Sequence, residues 1–264
     1  MGTYHLASSH FADSVPGLSK ALGECDQVCG EIDLSAATSD PQVLQSLQAA
    51  MQLPADSTID QVLTAEQYGR LNDVLRSSLG ADLTHPMLAQ LRRFSPAALN
   101  TQISLFLAIA QEKEYNPEEP LDLFFQKTAR AQGKPVVGLE TMEQQTAILF
   151  KSSTRARQTE QLMCTVDNPE YARHMARRLA QAYYAQNLKA IETVVNEKRH
   201  DSCDPTPQEE EALNGKRNAD WMKKLPPLMH EKPTFIAVGA AHLVGEKGLL
   251  QLLRNAGYEV IPAQ

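Results

Sequence analysis

Seven histidines are present, and two share a setting: His5 stands three residues after Gly2 in "GTYHL", and His242 stands three residues after Gly239 in "GAAHL". Imidazole is the side chain that changes charge nearest neutral pH, and neutral imidazole is also a common metal ligand. Two carboxylates join them in the argument, Glu31 in "GEIDL" and Glu140 in "VVGLE". Two imidazoles with two carboxylates suit a divalent transition metal such as manganese, cobalt or zinc with one position left for water, or a general acid and base acting together. Glu140, closing an apolar run, is expected to reach that water as general base, with Glu31 as ligand or orienter. Asp33, two residues on, is an alternative to Glu31. In "KRNADW" a guanidinium (Arg217) and a carboxamide (Asn218) precede the single tryptophan, Trp221, by about one helical turn. Arg217 is expected to hold a substrate carboxylate or a developing oxyanion while Trp221 anchors the helix in the core. Plainer readings stand beside these: histidines capping strand ends, an arginine ion pair for Glu31, and a helix N-terminal charge for Glu140. His10 reads as a surface residue.

Such residues converge only if strands carry them to one edge. Four short apolar runs bounded by Gly or Pro read as strands: "QVCGEIDL" (27–34), "KPVVGLE" (134–140), "PTFIAVG" (233–239) and "YEVIP" (258–262). Apolar residues at three-and-four spacing predict helices over 41–51, 59–79, 96–113, 120–132, 142–150 and 171–198, and another helix from about Pro207. Thr141 with Gln144 makes an N-terminal capping pair. Run, helix and run over 233–262 predict a right-handed βαβ unit with Gly257 ending the helix. The expected fold is therefore α/β, with a small mixed, partly parallel sheet and a large helical insertion or cap over about 41–132, all in one domain spanning 1–264. In such sheets ligands bind outside the carboxyl ends of the strands, where His5, Glu31, Glu140 and His242 would all lie.

Composition sets limits. The chain has 264 residues, 42% hydrophobic and 22% charged, and a formal charge of -7. It is long enough to bury a sizeable core, and no apolar run reaches the length of a membrane span. An acidic balance argues against nonspecific nucleic-acid binding, so the expected partner is a peptide or small acyl substrate. Without a CxxC pair, the four cysteines read as buried thiols or, for Cys164 and Cys203, as a disulfide that implies an oxidising compartment. The chain opens on the end of what reads as a strand, so an apolar strand and an export signal are expected ahead of it in the full-length protein, with a periplasmic or cell-surface location.

The ordered set "GTYH", "GEIDL", "GLETMEQQ", "KRNADW" and "AVGAAHLVGEKGLLQLLRNAGYEV" resembles the TraB/GumN family, which includes Tiki-type proteases and pheromone-shutdown proteins. The resemblance runs over nearly the whole chain. It implies a fold related to erythromycin esterase-like and ChaN-like proteins and, for the Tiki branch, metal-dependent peptide cleavage through the two Gly-x-x-His motifs. Carried over, His5 and His242 become the metal or catalytic histidines, Glu31 and Glu140 their acidic partners, and Arg217 with Asn218 the polar pair. Two other functions stay open: a metal-independent, esterase-like hydrolase, and a non-enzymatic protein that captures a peptide or haem.

Overall fold

The computed structural model describes residues 1–112 and 115–262. Four strands, β1 (Gly2–Thr3), β2 (Gln27–Gly30), β3 (Val136–Gly138) and β4 (Thr234–Gly239), form one sheet in the order β1-β4-β2-β3. Every ladder is parallel, with Gly2 opposite Val238, Cys29 opposite Ile236 and Val137 opposite Cys29. The expected sheet was partly parallel and mixed; the described strands give a wholly parallel one. Parallel strands are joined by helical crossovers that cover both faces, which is why their residues are apolar on both sides. Val28 and Ala237 enter a cluster with Phe125, Ala129 and Phe235 on one face, while their neighbours Cys29 and Val238 join Leu139, Trp221 and Leu225 on the other.

The segment "YEVIP" forms no strand. Its apolar residues are not taken up by the sheet: Tyr258 and Ile261 stay exposed, the latter at 72%. The helix before it, Leu249–Asn255, does run into a left-handed Gly257, so the final unit is a strand and a helix without the return strand.

Between β2 and β3 the chain is helical. Leu53, Leu71, Leu75, Leu99, Ile103 and Leu107 pack into a separate core that also takes Leu162 and Val166 from the helix Arg155–Asp167. The helix Leu121–Ala131, by contrast, lays Leu121, Phe125 and Ala129 on the sheet. Helices expected over 59–79 and 171–198 are each two. Thr64 and Gln67 form a capping box that starts a new helix at Ala65, and Gln186 takes a left-handed φ of 53° between Tyr184 and Leu188. The helix Pro96–Ile109 ends before Lys113, which lies outside the described residues. No helix among the described residues is long and apolar enough to cross a membrane.

Two ties set the segment that leads to "KRNADW". Cys164 is bonded to Cys203, and Arg157 clamps Glu209 through Nε and Nη2 while donating to the Asp204 carbonyl at 2.7 Å. Closing a loop of this length contributes about 4 kcal/mol by restricting the unfolded chain. From there the chain makes one π-helical turn, Glu211–Gly215, and enters the helix Lys216–Trp221. Such turns are rare and frequent at functional sites.

Candidate active site

Each strand delivers one polar residue just past its carboxyl end: His5 after β1, Glu31 after β2, Glu140 after β3 and His242 after β4. The paired glycine-to-histidine spacing is explained by packing between those strands. A Cβ on Gly2 would meet Leu243 Cδ1 at 2.9 Å and Ala240 Cα at 3.1 Å, and a Cβ on Gly239 would lie 3.1 Å from Glu31 Oε1. Glycine at both positions lets the two turns approach each other and Glu31 without displacing these neighbours.

Arg217 lies at the centre of the buried part. Its Nε and Nη2 bind Glu140 at 3.1 and 2.5 Å, Nη2 also reaches Glu31 Oε2 at 2.7 Å, and Nη1 donates to the Leu213 carbonyl and to His242 Nε2 at 2.8 Å. Its guanidinium also stacks over Trp221, 4.8 Å from the ring centre. Glu31 completes its shell with the Gly239 N–H on Oε1 and the Gln145 amide on Oε2; Gln145 bridges to Glu140 as well. Burial opposes ionisation of Glu31, but His242, Arg217, the Gly239 N–H and His5 together outweigh it and hold its carboxyl below the usual range.

The protonation of His242 follows from its partners. Arginine has no acceptor, so Nε2 must present a lone pair to Arg217 and Nδ1 carries the proton, given to Asn218 Oδ1 at 2.8 Å. The Asn218 amide is fixed in turn by donating to the carbonyls of His242 and Lys247. Burial pushes the imidazole down to about 4, with Glu31 opposing and Arg217 assisting. The ring is neutral at physiological pH and rests 4.5 Å from Trp221.

His5 is different. Its Nδ1 pairs with Asp122 Oδ2 at 3.0 Å, its side chain is 74% exposed, and Nε2 has no partner among the described residues. Hydrogen bonding to Asp122 lifts its pKa to about 9 against a desolvation effect, although solvent at so open a ring tempers that rise. Burial raises the Asp122 carboxyl, and its bond to His5 more than reverses this. His5 lines a cleft of about 310 Å³ together with Glu31, Asp122, Gln126 and Gln145.

Sequence and structure therefore agree on which strand ends meet and differ on how. Glu31, expected as ligand or orienter, lines the open cleft; Glu140, expected as general base, is turned to Arg217 with 6% of its side chain exposed and does not line it. Arg217, expected to meet substrate, is engaged by Glu31, Glu140 and His242. Asn218 orients His242 instead of facing the cleft. Asp33 caps the helix Leu34–Ser39 and pairs with Arg130. Asp122 and Gln145 were not singled out. Gln145 lies inside "GLETMEQQ", one residue past the capping pair; Asp122 carries only the signature of a first-turn acid on the helix Leu121–Ala131, and nothing local links it to a histidine 117 residues away.

The four expected metal ligands do not surround one ion. Among the described residues no group of three or more His, Cys, Asp or Glu is spaced to hold one, and the guanidinium of Arg217 fills the space between Glu31, Glu140 and His242. Of the four, His5 and Glu31 line the cleft, the His5 imidazole being oriented by the Asp122 carboxylate.

Comparison with known proteins gives relatives that align over nearly all of this chain. The chain is 26% identical over 266 residues to the uncharacterized protein YbaP of Escherichia coli strain K12, spanning 96% of this chain and 86% of the relative. It is 23% identical over 300 residues to the metalloprotease TIKI2 of Danio rerio, spanning 98% of this chain and 57% of that one. No solved structure matches. The model of the TraB/PrgY/gumN family matches residues 1–262, and the chain belongs to that family.

Proposed function

We propose that the protein is a hydrolase that cleaves a peptide or similar acyl bond in the cleft beside His5 and Glu31. One observation carries this reading: four parallel strands deliver two histidines and two glutamates to one edge, and two of these four line a cleft large enough for a substrate segment. The relative named a metalloprotease supports it.

In this reading His5 and Glu31 hold a divalent transition metal, which would lower the pKa of a bound water and polarise the scissile carbonyl. Asp122 orients the His5 ring through Nδ1. Gln145 and the Gly239 N–H fix the Glu31 carboxylate, and Arg217 keeps it ionised, so that its remaining lone pair would be free to meet the cation. Glu140, His242 and Asn218 hold Arg217 and the sheet end in place beneath. The test is hydrolysis of a quenched-fluorescent peptide library together with metal analysis of the purified protein. His5→Ala is expected to lower turnover by about a hundredfold or more and to lower the bound metal. Unchanged turnover in that variant would refute the proposal.

A metal-independent mechanism is favoured by the His5–Asp122 pair, which can donate a proton to a leaving group without an ion. Activity that survives exhaustive chelation selects it over the first.

A further inference from the structure

We infer that the cleft beside His5 is a specificity subsite for one large uncharged apolar side chain of the substrate, lying next to the bond that is cleaved. The inference rests on the hydrolase reading only for the cleavage; the subsite itself is argued from its walls.

Those walls divide by chemistry. The polar groups already described line part of the cleft, and the rest of its lining is Leu6, Ile32, Leu34, Leu105, Tyr115 and Pro120. Leu105 comes from the helix Pro96–Ile109, so the helical layer contributes to the site through an apolar residue. The segment carrying Ile32 and Leu34 is rigid: the buried Gln126 donates through Nε2 to the Ile32 carbonyl at 2.8 Å and accepts from the Leu34 N–H at 2.9 Å. Its peptide groups are thereby satisfied by the protein and not left to a ligand. Apart from the Tyr115 hydroxyl, these walls carry no side-chain hydrogen-bonding group. A charged side chain lodged against them would lose water and gain no partner, whereas an aliphatic or aromatic one would lose only unfavourable hydration. At about 310 Å³ the cleft lies at the small end of ligand sites and has room for one such residue with its flanking peptide units. The neighbouring charges do not alter this choice, because Asp122 is paired with His5, and Arg217 with both Glu31 and Glu140, the latter turned away from the cleft.

Fluorescence anisotropy with labelled, blocked hexapeptides Ala-Ala-X-Ala-Ala-Ala, X being Leu, Phe, Ser or Lys, tests the subsite on the His5→Ala variant, where cleavage does not intrude. The Leu and Phe peptides are expected to bind about tenfold or more tighter than those with Ser and Lys. Leu105→Ala, added to that variant, should erase most of the preference, with Leu34→Ala as the second variant should the first not fold. Equal binding of all four peptides, or a preference that survives both wall substitutions, would overturn the inference. Mass spectrometry of the same peptides with the native protein separates the two claims. Preferential binding without cleavage defeats the hydrolase reading and leaves the subsite standing; cleavage indifferent to X does the reverse.

Discussion

Two turns of the same pattern, at opposite ends of the chain, produce two different histidines. Both follow a strand that contains the glycine of the pattern, and the strands are hydrogen-bonded neighbours. His5 leans on a carboxylate at the rim of a cleft, which raises its pKa; His242 leans on a carboxamide beneath an arginine, and burial pushes its pKa down to about 4. The difference lies in the partner and in the access of water, not in the local sequence. It teaches that the family pattern marks a place in the fold, while residues remote in sequence, Asp122 and Asn218, decide what each imidazole does there.

The comparison breaks most severely at Arg217. Replacing it by Met leaves Glu31 and Glu140 as two buried carboxylates without a counter-charge and His242 Nε2 without a donor. A loss of about 3–5 kcal/mol is expected in urea denaturation at neutral pH; a loss below 1 kcal/mol would show that the network contributes little. Next in size is the response to acid. The folded pKa of His242, about 4, lies below the 6.5 of an unperturbed imidazole, so between these values the unfolded chain binds more protons and is favoured. Stability should fall by roughly 2–3 kcal/mol as pH drops through that window, and His242→Gln should flatten the fall. His5 has the opposite sign, since a raised pKa gives stability that is present below 6.5 and lost as pH rises toward 9, but its open ring makes that contribution small.

Exchanging the partners sharpens the contrast further. Asp122→Asn should return the His5 pKa toward 6.5, by about 1–3 units, with the fold retained. Asn218→Asp should lift His242 upward while costing stability, because a carboxylate would face the carbonyls of His242 and Lys247. Proton NMR titration of the two metal-free variants reads both shifts. If neither imidazole moved, the partners would not be the cause.

How far the sequence could show this depends on the distance over which each feature is determined. Strand ends were legible because a short apolar run, a small residue and a polar residue are adjacent in the chain, and the capping pair Thr141–Gln144 was legible for the same reason. The Arg217 spacing to Trp221 announced a helix with a buried face, and both side chains are buried. "YEVIP" misled because strand propensity cannot say whether a sheet edge is free. The helix Arg155–Asp167 escaped notice because polar residues outnumber its buried Leu162, Met163 and Val166. The site's inner logic, a guanidinium shared by two carboxylates and a histidine, rests on pairings across 25 to 186 residues that no local spacing encodes.

The most direct test is a histidine titration of the metal-free protein by heteronuclear NMR, with His5→Gln and His242→Gln spectra to assign the two rings. The account predicts one imidazole that stays protonated well above pH 7 and another that stays neutral, with its proton on Nδ1, well below pH 6. Two rings titrating together near 6.5 would contradict it.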